Sequence, residues 1–201
     1  MKTTIITLAT MLTLGLGTVN TVKADDNNDS AATVLTDVSN ITKIEVRGNV
    51  ELYVSDGSAD QVKVYNRYYA ENAMVQNKNG VLRIASYTNK KLVVWVTAKD
   101  VRAIAAYDNS TVKSFGKLSA IQLDVELHNT AAAKLDINSY SANITVADNA
   151  KADLTGNVNE YALNYGRSTS VNYGNLVAFN TARVVRSNDG YKVSSNELAV
   201  L

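Results

Sequence analysis

The sequence predicts an all-β fold in which the chain winds in coils, and two observations carry that expectation. The first is a polar turn that keeps returning. Asp108-Asn109, His128-Asn129 and Asp148-Asn149 follow one another at intervals of 20 residues, and looser turns at Gly166-Arg167 and Asn188-Asp189-Gly190 continue the series. The second is an apolar marker, Leu118, Ile137, Val158, Leu176 and Leu198, which advances by 19, 21, 18 and 22 residues. A drifting period near 20 marks stacked units, each of which buries its apolar face only against its neighbours. About five short coils are expected over residues 101–201, preceded by an antiparallel section over 41–100.

The chain opens with an exported protein's signature. Lys2 gives a positive start, the run from Ile5 to Val19 is apolar, and Val22-Lys23-Ala24 ends in the small residue that signal peptidase needs. That run is shorter than the roughly 20 residues of a membrane span, so residues 1–24 are expected to be a signal peptide cleaved near Ala24, and no transmembrane segment is expected. Residues 25–40 begin with Asp25-Asp26-Asn27-Asn28-Asp29-Ser30 and have no periodicity, which predicts a flexible polar leader. A single β domain then fills 41–201.

Strands follow from period-two alternation. Ile41, Ile44 and Val46, then Val50, Leu52 and Val54, form one long strand with an irregularity at Gly48. Asp56-Gly57 turns the chain into Val62, Val64 and Tyr65, a predicted hairpin, and Asn77-Lys78-Asn79-Gly80 turns it into Val81–Ala85. Leu92–Thr97 is a nearly continuous apolar run that asks for cover on both faces, and places Trp95 in the core. Within the coils, Ile121, Leu123, Val125 and Leu127 alternate with Gln122, Asp124 and Glu126, and Leu135, Ile137, Ala142, Ile144 and Val146 repeat the pattern one coil on. Equivalent strands of successive coils would pair about 4.8 Å apart. No window carries a capped helical stripe; the nearest, Tyr68–Met74, is at most two turns long.

The opening Ile41-Thr42-Lys43-Ile44-Glu45-Val46-Arg47-Gly48-Asn49-Val50-Glu51-Leu52-Tyr53-Val54, the strand start Gly80-Val81-Leu82-Arg83-Ile84 and the strand Leu92-Val93-Val94-Trp95-Val96 together resemble the auto-transporter adhesin head GIN domain family over about 41–200. The resemblance implies a right-handed parallel β-helix behind an N-terminal antiparallel portion, an extracytoplasmic location (periplasmic, outer-surface or secreted) and an adhesive or surface role. It brings no catalytic residues. Where that family commonly turns on Gly-Ala-Ser, this chain turns on Asp-Asn, His-Asn and Gly-Arg.

Composition narrows the chemistry. With 201 residues, 46% of them hydrophobic, the chain can build a real core. Lys plus Arg number 20 against 19 Asp plus Glu, becoming 18 against 19 once Lys2 and Lys23 leave with the signal peptide, so nucleic acid is not an expected partner. The absence of Cys removes disulfides and thiolate chemistry, and the lone His128 rules out a multi-histidine metal site within one chain. With no Pro and 11 Tyr, the sequence favours strands joined by Asn/Asp turns.

No catalytic residue, cofactor or metal ligand emerges. Asp124 and Glu126 would share an outward strand face, the nearest approach to a carboxylate pair, but read as a solvated face. Asn109, Asn129 and Asn149 could stack as an amide ladder at one corner. Tyrosines are the one enriched type that could bind: Tyr161, Tyr165, Tyr173 and Tyr191, as an exposed row, would meet a surface ligand, either glycan or protein. The reading favoured is a non-enzymatic surface protein that acts by contact. A carbohydrate-binding or polysaccharide-active module using an Asp/Tyr face stands beside it, as does a structural envelope protein forming homo-oligomers through the edge of its last coil.

Overall fold

The computed structural model describes residues 32–35, 38–65, 73–187 and 190–194, and the expected signal peptide lies outside them. Among these residues there is no helix; thirteen strands form one mixed sheet. Four long strands dominate it: β9 (Thr111–Leu127), β10 (Ala132–Val146), β11 (Lys151–Gly166) and β12 (Ser170–Ser187). They stack in parallel, with Thr111 beside Ala132, Ala132 beside Lys151 and Lys151 beside Ser170, steps of 21, 19 and 19 residues. The irregular period has a local cause. Between Lys113 and Lys117, β9 carries two residues more than its partner, around Gly116 at φ 81°, and β12 carries one more between Asn172 and Asn175. Bulges of this kind take up extra residues and bend the strand without breaking the ladder.

The N-terminal section is built differently from the expected antiparallel section with its hairpin at Asp56-Gly57. β2 (Lys43–Gly48) lies parallel between β6 (Val81–Ser86) and β8 (Ala103–Ala106), and β3 (Val50–Asp56) lies parallel between β7 (Leu92–Ala98) and β9. The turn at Asp56-Gly57 reverses the chain, but β4 (Gln61–Tyr65) pairs antiparallel with β7, not with β3. Both edges of β3 are already taken, and a turn signal specifies a reversal, not the strand that receives it. The turn read at Asn77–Gly80 holds and closes a hairpin: β5 (Ala73–Lys78) and β6 pair antiparallel across Asn79 and Gly80, both at positive φ (52° and 78°), as tight hairpin turns demand. Ordered pairing also begins earlier than expected, because β1 (Ala32–Leu35), inside the predicted leader, adds antiparallel to β4 with Val34 and Leu35 half-buried. Antiparallel pairing is thus confined to the two ends of the sheet, with β13 (Gly190–Ser194) folding back on β12 at the far end.

The core is a single cluster built from inward columns. Leu82, Ile44, Ile104, Val125, Ile144 and Leu163 succeed one another in register, as do Val64, Val94, Leu52, Val112, Ala133 and Ala152. All are essentially closed to solvent. At about 1.5–3 kcal/mol for each large aliphatic side chain buried, these columns fix which face of every strand points inward. Glycine is required where the sheet crowds itself: Gly48 (φ 77°) ends β2, and a Cβ there would sit 2.1 Å from the Ser86 carbonyl oxygen. At Gly156 (φ 110°) an added Cβ would lie 2.0 Å from the Ile137 carbonyl oxygen.

Candidate functional site

The tyrosines singled out in the sequence do not form an exposed row. Tyr161 is 3% exposed and stands in register with the buried Ala142 and Leu123, so it points inward. Its hydroxyl has no hydrogen-bond partner, and burial pushes its pKa well above the ordinary phenol value. Tyr165 and Tyr173 are half-buried against the same core, and the Arg183 guanidinium lies 4.5 Å over the Tyr173 ring. Tyr191 belongs to β13, and its side chain lies outside the described residues. The phase of Tyr161-Ala162-Leu163-Asn164-Tyr165 carried this information, since the tyrosines share alternation with Leu163. Asp124 and Glu126 lie on the opposite, outward face. Asp124 accepts hydrogen bonds from Gln122 Nε2 (3.1 Å) and Asn143 Nδ2 (2.8 Å), while Glu126 sits 4.0 Å from His128. Asp124 and Glu126 therefore share no site with Tyr161, Tyr165 or Tyr173.

A polar ladder does run along one corner, but on different residues from those expected. Asp108, Asn129 and Asp148 occupy equivalent positions at φ 61°, 59° and 58°. The Asp148 carboxylate accepts from the Asn129 amide (2.7 Å), Asn129 Oδ1 from the Asp108 amide (3.1 Å), and the Asp108 carboxylate from the Gly48 amide (3.0 Å). Each side chain thus satisfies a backbone donor one strand up, at a left-handed turn residue that Asn and Asp tolerate. The 20-residue spacing pointed to Asn109, Asn129 and Asn149, but the true steps are 21 and 19, which put Asn109 and Asn149 one place beyond the ladder, exposed. Beside it, Arg47, Tyr107 and His128 stack in turn: the guanidinium is 3.8 Å above the Tyr107 ring, and the imidazole lies parallel to that ring at 5.0 Å.

The arrangement that sequence reasoning missed lies on the outer face near the N-terminal end. Trp95, expected in the core, points outward from β7 and stacks on Tyr53 of β3, ring centroids 4.6 Å apart, with Phe115 of β9 tilted against it at 5.3 Å. The run Leu92–Ala98 hides this, because Val93 and Trp95 are as apolar as the inward Leu92, Val94 and Val96 between which they fall. Around the rings sits a charged set. Glu51 accepts from Lys113 Nζ at 2.6 Å and from the Tyr53 hydroxyl at 2.8 Å, with Lys91 3.5 Å away. The hydrogen bond from Lys113 holds the Glu51 carboxyl below its usual range, and the same bond raises the Lys113 pKa. On the other side of Trp95, residues Gln61, Lys63, Tyr65 and Thr97 complete a recess of about 220 Å³.

A third surface carries exposed apolar side chains on the outer face of the long strands, Ile121 and Tyr140 on β9 and β10 and Val177 and Phe179 on β12, with Asn157 and Asn159 of β11 between the two pairs. Ile121, Tyr140, Val177 and Phe179 are 85%, 55%, 67% and 87% exposed. Among the described residues no cluster of three or more His, Cys, Asp or Glu could hold a metal ion, and no helix is long and apolar enough to cross a membrane.

The fold and these surfaces define a class: an all-β scaffold whose curled, largely parallel sheet presents ladders of side chains on its outer face. Residues 40–199 match the family described as "Putative auto-transporter adhesin, head GIN domain", and the chain belongs to that family. The likeness extends to solved structures. A "putative adhesin" from Bacteroides fragilis superposes with a TM-score of 0.68 at 16% identity, covering 78% of this chain and 76% of that one. A "putative adhesin" from Parabacteroides distasonis gives 0.61 at 16% identity over 78% of both chains. A "Putative lipid binding protein" from the same species gives 0.62 at 10% identity over 79% of both. At such identities the likeness carries the fold alone. No curated protein matches.

Proposed function

We propose that the protein is a non-enzymatic, exported scaffold that acts by contact at a cell surface, in the adhesive role its family's name describes, and that its strands wind as a right-handed parallel β-helix of about five coils. The handedness accords with the strong preference of parallel crossovers, and the 19–21-residue steps between parallel partners with a coil repeat. Export rests on the signal read at residues 1–24. The observation that carries the contact role is the exposure of Ile121, Tyr140, Val177 and Phe179, large apolar side chains left in water as two pairs on one face of the long strands, with Asn157 and Asn159 between them. Apolar side chains exposed together on one face mark interaction sites, and the ligand is a surface glycan or protein. The geometry favours contact over catalysis, because Asp124 and Glu126 lie on the outward face away from Tyr161 and Tyr165 and engage their own neighbours.

The test is a glycan-array and cell-surface binding screen of residues 25–201 against the Ile121→Ser/Phe179→Ser double variant. Loss of about tenfold or more in binding supports the reading, as truncating central apolar anchors should do. Unchanged binding by a folded double variant counts against it.

A second reading, self-association, has its own observation. β13 covers only Arg183–Ser187 of β12, and Ser170–Ala182 have no neighbour other than β11 among the described residues. An open strand edge recruits another strand. Sedimentation should then show concentration-dependent oligomers, and a strict monomer at high concentration would remove the idea.

A further inference from the structure

We propose that the recess beside Trp95 is a binding site for one pyranose ring of a glycan, a site separate from the exposed apolar pairs assigned above and specific in its ligand class. β7 lies between β3 and β4, and Tyr53 of β3 covers one face of the Trp95 indole. The recess is lined by three residues of β4, Gln61, Lys63 and Tyr65, on the opposite side of β7. The indole's second face is therefore turned toward β4, where Lys63 is its register partner and lines the recess with Gln61 and Tyr65. Stacking on Tyr53 and the tilted Phe115 hold the indole upright on a sheet strand, so that no side-chain freedom remains to be lost when a ligand arrives.

The lining matches a sugar better than other ring-shaped ligands. A pyranose has an apolar face of C–H bonds that lies flat on an aromatic ring, while its hydroxyls point outward around the rim and require donors and acceptors there. Here the flat surface is Trp95, and the rim carries an amide (Gln61), an ammonium (Lys63), a phenol (Tyr65) and a hydroxyl (Thr97). Lys63 and Gln61 make no ion pair or side-chain hydrogen bond with other described residues, and Thr97 Oγ1 is 3.1 Å from Ser55 Oγ. A purely apolar ring would leave those groups without partners in a desolvated contact. The size is also restrictive: about 220 Å³ falls below the roughly 300–1,000 Å³ of drug-sized pockets, which leaves room for one ring and an open path for the rest of a chain. The Glu51–Lys113 pair, with Lys91 beside it, lies on the Tyr53 side, outside the recess, and serves to fix the stack.

Trp95 is the only tryptophan in the chain, so its fluorescence reports on this site alone. The experiment titrates residues 25–201 with methyl glycosides of glucose, galactose, mannose and N-acetylglucosamine, and in parallel probes the array with wild type, Trp95→Ala, Lys63→Ala and Gln61→Ala. A saturable change in Trp95 emission with at least one glycoside, weakened about tenfold by Lys63→Ala or Gln61→Ala, is expected. Both substitutions are on the outer face, away from the core, so they test the site even if Trp95→Ala fails to fold. Emission that stays flat to 100-fold above the concentration that saturates array binding, or array binding untouched by all three variants, overturns the proposal. The two readings separate cleanly. Binding lost only in the Ile121→Ser/Phe179→Ser variant would retain the contact role and remove this site, and a glycoside response without any cell-surface binding would do the reverse.

Discussion

At the scale of single residues, Tyr161 is the position where the fold is least economical. Its ring completes an inward column next to Ala142, but its hydroxyl is buried with no partner. A buried unsatisfied donor costs about 1–3 kcal/mol, and Phe keeps the ring while removing that group. Tyr161→Phe should therefore stabilise the protein by about 1 kcal/mol, a rise of roughly 2–4 °C in Tm for a chain of this size. The pH dependence has a definite sign. Because the folded-state pKa is raised, chiefly by burial, Tyr161's contribution is fully present below the unfolded value of about 10 and is lost as pH rises toward the folded value. Thermal melts between pH 8 and 11 should accordingly fall more steeply for wild type than for Tyr161→Phe; parallel curves would show that the hydroxyl reaches solvent.

At the scale of elements, the corner ladder is the informative case. Asn129 does three things: it adopts φ 59°, its Oδ1 accepts from the Asp108 amide, and its own amide donates to Asp148. Ala keeps only the last, and should cost about 2 kcal/mol, combining the left-handed backbone penalty with a lost acceptor. Asn129→Gly keeps the backbone and loses only the acceptor, so about half of that cost should return. Asn109→Ala, at the neighbouring exposed position, should fall within about 0.5 kcal/mol of wild type. Urea midpoints for the three variants check the order. The sequence contained the turns but misplaced the rung by one residue, because a spacing of 20 averages true steps of 21 and 19. The same averaging left the bulge around Gly116 invisible. For the aromatic stack the obstacle was different: in a run as apolar as Leu92–Val96, alternation has no contrast, and only the neighbouring strands reveal that Trp95 faces out.

At the scale of the molecule, the repeat was legible and its order at the N-terminal end was not. Nothing local in residues 43–56 says that β2 and β3 will be inserted between β6–β7, which come later in the chain, and β8–β9. From Thr111 onward chain order and stacking order agree, and that agreement makes a strong test. If stability there is a sum of each layer and its neighbours, one whole layer can be removed without destroying the rest. Deleting Ala132–Ala150 joins Ala131 to Lys151, and Ala131 occupies the same buried turn-ending position as Ala150, so Lys151 should take the place of Ala132 beside Thr111. Four columns would be mismatched: Gly156 would face Leu118 where Ile137 stood, Val158 would face Ala120 where Ser139 stood, Tyr161 would face Leu123 where Ala142 stood, and Tyr165 would face Leu127 where Val146 stood. The shortened protein should melt cooperatively with a strand-rich circular dichroism spectrum, at a lower temperature than wild type. Deleting Ala132–Ser141 instead removes part of a layer and leaves Ala142–Val146 beginning where Ala132 began, with its turn arriving too early to follow the sheet round. That variant should aggregate or fail to melt cooperatively. If both deletions behave alike, the long strands are not independent layers and the core is held by contacts that run across them.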